Sequence, residues 1–141
     1  MSRRSPTADE LRAWRAVTET VEELNAALTA RLQADSGLSR GDYAVLLALA
    51  EASGTHLRSS DLAARIGWER SRLSHHLGRM EQRGLVRRDA CATDSRGAEV
   101  VLTADGADAF RRASGPHLHA VRDLFVAALT PEQVVAAGEI A

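Results

Sequence analysis

Lysine is absent from this chain: all 18 of its basic residues are arginine, set against 19 acidic ones. We read that usage, together with the abundant alanine, as genomic composition bias rather than function, and the near balance of charge gives no hint of a polyanionic partner. Cysteine is almost missing too. Cys91 stands alone, so no internal disulfide can form, which fits a reducing compartment. No apolar run approaches the roughly 20 residues of a membrane span. The opening residues, MSRRSPTADE, lack the apolar core of a secretory signal, so a soluble cytoplasmic protein with no membrane partner is expected. There is no Gly-x-Ser-x-Gly turn, no phosphate-cradling glycine loop and no His-Glu-x-x-His run. Nucleophile, oxyanion donors and metal are all left unplaced, which excludes the common enzyme classes and calls for no cofactor.

What is present is unevenly distributed. The 141 residues suit one integrated domain. Between Arg58 and Arg96 lie nine arginines and five acids, an excess of four positive charges, so that the rest of a chain of net charge −1 carries about −5. A basic centre between acidic ends is the polarity expected when one part of a chain meets phosphate.

Inside that window, Trp68 to Val86 reads WERSRLSHHLGRMEQRGLV. At 100° per residue Leu73, Leu77 and Met80 fall on one narrow stripe, the spacing of a helix that buries a single side. Opposite them fall Ser71, His75, Gly78 and Gln82, flanked by Arg72, Ser74 and Arg79. That face holds small, hydrogen-bonding and cationic groups and nothing large and apolar, so a duplex can approach it closely. Taken alone, the same stretch also fits an ordinary solvated helix. Gly84 suits the left-handed position that ends a helix, and Leu85 and Val86 begin an extended segment.

The neighbours supply context. Residues 1–6 form a basic tail with no assigned role. Thr7 and Glu10 have capping-box spacing, and from Leu11 through Trp14, Val17, Val21, Leu24, Leu28 and Leu32 the apolar residues recur every three or four positions. That predicts one long amphipathic helix whose stripe a second subunit, or less economically the chain itself, must cover. Ser36 and Gly37 end it. Ser39 and Asp42 cap a second helix with Tyr43, Leu46, Leu47 and Ala50 inward, closed by Gly54. His56–Arg58 can pair as a single short strand. Ser59 or Ser60 caps a third helix that buries Leu62, Ala63 and Ile66 and stops at Gly67. Two short helices joined by a tight glycine-containing turn make a helix-turn-helix. LVRRDA and AEVVLT then alternate as the strands of a hairpin, a wing whose loop from Cys91 to Gly97 carries Asp94 and Arg96. A guanidinium on a thin loop can enter a minor groove, while Asp94 would hold the loop or Arg96 in place. Thr103 caps a further helix, for which Gly115 and Pro116 predict a kink or restart. PHLHAVRDLFVAAL follows, and Thr130, Pro131 and Gln133 open a last short helix.

The residues LSRGDYAVLLAL, SSDLAARIGWERSRLSHHLGRMEQRGLVRR, DSRGAEVVLT and PHLHAVRDLFVAALTPEQ together resemble the MarR family of transcriptional regulators. The resemblance covers nearly the whole chain. It implies a mainly α fold with a small two- or three-stranded antiparallel wing: an N-terminal dimerisation helix (1–35), a winged helix-turn-helix module (36–103) and C-terminal dimerisation helices (104–141). It further implies a homodimer on double-stranded DNA, acting as a repressor at an inverted repeat and released by a small aromatic or anionic effector. Matched residue by residue, Ser71, Arg72, Ser74, His75 and Arg79 take the recognition-helix roles and Asp94 and Arg96 the wing roles, and Arg70 and Arg88 complete the expected DNA-binding set. Leu11, Trp14, Val17, Leu124 and Leu129 would form the dimer interface. The last helix is short for the family.

Two other classes stay open at this point. A winged helix can bind protein instead of DNA, but then its recognition face should be apolar. A metal- or thiol-responsive regulator would need ligands or a reactive cysteine. His75 and His76 point about 100° apart, His117 and His119 share no helical face, and Cys91 lies in the wing; none is assigned as a metal site. His76 is expected at the edge of the core.

Overall fold

Side-chain caps decide where most of the helices begin. The Thr7 amide donates to Glu10 Oε2 at 2.7 Å and the Glu10 amide to Thr7 Oγ1 at 3.2 Å, opening α1 (Ala8–Ser36). Ser39 and Asp42 make the same reciprocal pair at the start of α2 (Arg40–Glu51). Thr130 and Gln133, with Pro131 in the first turn, open α6 (Pro131–Ile140). Each box satisfies backbone amides that the first helical turn leaves without partners. Residues 5–90 and 97–141 are described by the computed structural model. They fall into two units, one of residues up to Arg31 together with His117–Ala141, the other Leu32–Pro116.

The second unit holds the winged module. After α2 and a single 3-10 turn come β1 (His56–Arg58), α3 (Ser59–Ile66), α4 (Arg70–Gln82), β2 (Val86–Ala90) and β3 (Ala98–Leu102), followed by the first half of α5 (Ala104–Leu124). The sheet order is β1-β3-β2, both pairings antiparallel, with Leu57 opposite Val100 and Val86 opposite Leu102. Val45, Leu46 and Leu49 from α2, Leu62 from α3, Leu73, Leu77 and Met80 from α4 and Val100 from β3 are fully buried together. The stripe anticipated for α4 is therefore its core face. Burying such side chains contributes about 1.5 to 3 kcal/mol each, enough to fix the rotation of α4 about its axis. Gly67 takes φ +69° between α3 and α4, and Gly84 takes φ +73° after α4, where a β-carbon would be strained.

Two local expectations are corrected. Neither Ser59 nor Ser60 caps α3; both lie within the helix, and Arg58 occupies the cap position without a side-chain bond. The segment is already fixed by the pairing of Arg58 with Glu99 in the sheet, so no local cap is required. Nor does α5 restart at Gly115 and Pro116: it runs unbroken through Pro116. The residue before a proline is kept out of helical geometry partly by its own β-carbon, and Gly115 has none. Ala113 before the proline and Ala120 after it are both buried, which offsets the single backbone bond that Pro116 cannot make. The first half of α5 also joins the winged unit, with Ala109, Phe110 and Ala113 at its core.

In the other unit, α1 carries an exposed apolar row of Leu11, Trp14, Val17 and Val21, with Trp14 61% exposed. Leu118, Val135 and Ile140 are exposed as well, while Leu124 and Leu129 are half-buried. Among the described residues no helix is long and apolar enough to cross a membrane.

Candidate nucleic-acid interface

With its core stripe buried, α4 presents three other faces. Ser71, His75 and Gln82 point outward beside half-buried Gly78, and Arg70, Arg72, Ser74 and Arg79 border them, all exposed. Gly78 adds no side chain to the middle of this surface, and a concavity of about 560 Å³ opens there, bordered by Ser71, His75, Arg79, Gln82 and Arg88. Hydrogen-bonding groups and guanidinium forks on a convex helix are what base edges and phosphates require.

The two flanks of α4 are tied down by ion pairs that sequence inspection did not reveal. On one side Arg88 reaches back from β2: its amide and Nε donate to the two oxygens of Glu81 at 2.9 and 2.8 Å, and Nη1 lies 3.4 Å from Ser74 Oγ. The Arg88 hydrogen bond is the main reason the Glu81 carboxyl is held below its ordinary value. Arg88 thus joins the wing to the recognition helix. A second cleft, of about 410 Å³, lies beside it, lined in part by Arg58, Ser59, Ser60, Arg70 and Arg88.

On the other flank, His76 and Arg83 reach the start of α2, while Arg72 and Arg79 of the same helix lie beside them and stay exposed. Asp42, anticipated only as a cap, is buried here at 3% exposure. Its carboxylate accepts from His76 Nε2 at 2.9 Å, Arg83 Nη1 at 2.7 Å and the Ser39 amide at 3.0 Å. Burial alone would raise the Asp42 carboxyl; the hydrogen bonds from Arg83 and Ser39, with the charges of Arg83 and His76, outweigh it and hold the group below 3.8. His76 is buried as expected, its ring edge-on to Trp68 at 5.1 Å, and the Arg72 guanidinium lies 4.0 Å over the Trp68 ring. Gly41 permits the packing: a β-carbon there would come within 2.7 Å of Trp68 and 3.0 Å of His76.

Six of the nine residues assigned to DNA, Arg70, Ser71, Arg72, Ser74, His75 and Arg79, therefore lie together on one exposed surface, and Arg88 adjoins it. Asp94, Arg96 and Cys91 lie outside the described residues. Among the described residues no three His, Cys, Asp or Glu side chains come together as a metal would need.

Comparison with known proteins bears on the family and the fold. A family model described as "MarR family" matches residues 36–97. AbsC, a MarR family transcriptional regulator from Streptomyces coelicolor, is 38% identical, with a TM-score of 0.91 over 98% of this chain and 93% of that one. Sco3205, a MarR family transcriptional regulator from the same organism solved in complex with DNA, is 40% identical, with a TM-score of 0.92 over 98% of this chain and 87% of that one. The organohalide-sensing regulator RdhR-CbdbA1625, solved in a 2,4-dichlorophenol-bound form, shares the fold at 22% identity and a TM-score of 0.81, over 99% of this chain and 84% of that one. Comparison with curated protein sequences returned no match.

Proposed function

The chain belongs to the MarR family of transcriptional regulators, which are not enzymes, and from that premise we propose that it works as a homodimeric repressor at an inverted-repeat operator. The observation that carries the reading is the outward face of α4, where serine, histidine, glutamine and arginine stand exposed without a large apolar neighbour. A protein-binding winged helix would need the reverse composition. The relative solved with DNA is 40% identical, which supports extending DNA binding to this chain. Two recognition helices related by a twofold axis require half-sites about one helical turn apart. Selecting bound fragments from the host genome and footprinting them tests this; a single unrepeated protected site overturns it.

Roles can be separated by salt. Given the wing role that the family resemblance implies for Arg96, Arg96→Ala is expected to weaken binding to every sequence and to lower the salt slope by about one unit per lost contact. Ser74→Ala instead costs about 1 to 3 kcal/mol at one base pair and changes preference among sites. Anisotropy titrations across a salt series distinguish them. An unchanged slope for the first removes Arg96 from the interface.

The exposed row on α1 supports the second copy. A tryptophan 61% exposed beside Leu11, Val17 and Val21 is an apolar surface of the kind that marks an association site. Trp14→Glu is expected to shift the protein from dimer to monomer in sedimentation velocity at micromolar concentration and to abolish tight operator binding with it. A variant that sediments as the parent does removes Trp14 from the interface. The effector proposed with this function is a small aromatic or anionic molecule; the cleft of about 410 Å³ shares Arg70, Ser74 and Arg88 with the DNA-binding set and is read as part of that surface.

A further inference from the structure

The contacts of Asp42 do not stop at the core. Its carboxylate only accepts hydrogen bonds, so His76 must carry its proton on Nε2, 2.9 Å away. A guanidinium only donates, so the Arg79 Nη2 atom, 2.9 Å from His76 Nδ1, requires that nitrogen to be bare. One neutral tautomer satisfies both neighbours. A line of hydrogen bonds therefore runs from a buried carboxylate on α2, through a buried imidazole, to an arginine on the exposed face of α4.

We propose that Asp42 and His76 are positioning residues for DNA binding: they pin Arg79 in the orientation that faces the duplex, and a proton arriving at His76 Nδ1 releases it. This rests on the DNA reading of α4. Only one N–H of the Arg79 fork is used by His76, the residue is otherwise exposed, and a side chain already held loses less freedom when DNA arrives. Protonation takes a proton from solvent onto Nδ1, removes the acceptor of Arg79 Nη2 and sets two cations face to face. The groups around the ring are few: Asp42 from α2, Trp68 from the turn before α4, and Arg72 and Arg79 from α4 itself, with Arg83 on the far oxygen of Asp42. Burial lowers the affinity of His76 for a proton, Asp42 opposes it, and the charges of Arg79 and Arg72 add to the lowering. Burial thus holds the His76 ring neutral at neutral pH, and it takes up a proton only at a pH more acid than an ordinary histidine needs.

The test uses the full chain and two labelled duplexes, one recovered by genomic selection and one of mixed sequence. His76→Gln is the informative variant, since its amide can donate to Asp42 and accept from Arg79 without titrating. Across a series from about pH 7.5 down to the most acid pH at which both proteins remain folded, the parent is expected to lose roughly threefold to tenfold more affinity than His76→Gln does. That excess should vanish when both proteins also carry Arg79→Ala. Comparing variant with parent cancels whatever other groups on the surface contribute, and circular dichroism at each pH confirms that both stay folded. Equal pH slopes, or an excess that survives Arg79→Ala, overturn the proposal. Imidazole nitrogen NMR on the free parent provides a readout that a purely structural histidine would not fix: a neutral ring protonated at Nε2 is expected at neutral pH. A charged ring or the other tautomer refutes the proposal whatever the DNA result. A parent that binds neither duplex at any pH, with the expected tautomer intact, refutes the DNA reading and takes the proposal with it.

Discussion

Asp42→Ala is expected to lower the unfolding free energy by about 3 kcal/mol, the low end of what removing one partner from a buried ionic cluster costs. Three donors lose their acceptor at once: the Ser39 amide, His76 Nε2 and Arg83 Nη1. They do not suffer equally. Arg83 is 44% exposed at its side chain, so its charge turns to water and its share is small. His76 is buried and cannot, so most of the loss is the desolvated N–H left on its ring. The failing capping box of α2 adds the remainder, about 1 kcal/mol. The pH dependence carries a distinct signature. Because the folded Asp42 carboxyl lies below 3.8, its contribution is complete above that pH and is lost as the pH falls through the folded value. His76 acts in a different window. Its folded value is depressed below 6.5, so the unfolded chain takes up the proton first and stability declines as the pH drops below 6.5. Denaturant titrations of parent and variant from neutral pH to about pH 3 should therefore converge only at the acid end. A variant as stable as the parent at neutral pH would mean that the cluster contributes no net stability.

How far the sequence led is visible at the same residues. Signals confined to a few consecutive positions were legible: the three capping boxes, the buried stripe of Leu73, Leu77 and Met80, the glycines after α3 and α4, and the alternation of the hairpin. The small polar face of α4 was legible for the same reason, since fixing one stripe of a helix fixes its opposite. What escaped was long-range. Asp42 announced itself as a cap because its partner Ser39 is three residues away, whereas His76 is 34 residues away. Nothing in local spacing says that a capping carboxylate will also receive an imidazole from another helix. Arg88 is similar: the sequence assigns it to DNA with the other arginines, and only the packing of β2 against α4 turns it toward Glu81. Pro116 shows the opposite failure, in which the restart that a strong local rule allows does not occur, because the preceding glycine removes one of the clashes on which the rule depends.

The same dependence on a missing β-carbon gives the other large expected effect, at Gly106. Alanine in a helix is ordinarily better than glycine by about 1 kcal/mol, and Gly106 lies in the first turn of α5. Here the sign reverses. Thr103 Oγ1 donates to the Gly84 carbonyl at 2.6 Å and accepts from the Gly106 amide at 2.9 Å, drawing the start of α5 down onto the end of α4. A β-carbon on residue 106 would overlap the Leu85 carbonyl oxygen and lie 2.9 Å from Leu102 Cδ1. Leu102 could turn aside, but the carbonyl belongs to the backbone leading into β2 and cannot move without carrying the wing strand. Gly106→Ala is therefore expected to destabilise by about 2 to 3 kcal/mol, the range of an overpacked core, and Gly106→Val by more. Gly138→Ala is the control, because nothing lies within 4 Å of a β-carbon there and the propensity gain of about 1 kcal/mol should appear unopposed. Denaturant unfolding of the two alanine variants reads both signs in one experiment, and a Gly106→Ala protein that gains stability as Gly138→Ala does would show that α5 is not held against Leu85. The consequence reaches DNA binding, since β2 carries Arg88 and Arg88 grips Glu81 on the recognition helix. At concentrations and temperatures where the Gly106→Ala chain remains folded, its affinity for operator should still fall below that of the parent, because the strand displaced to make room is the one that fixes the wing to α4.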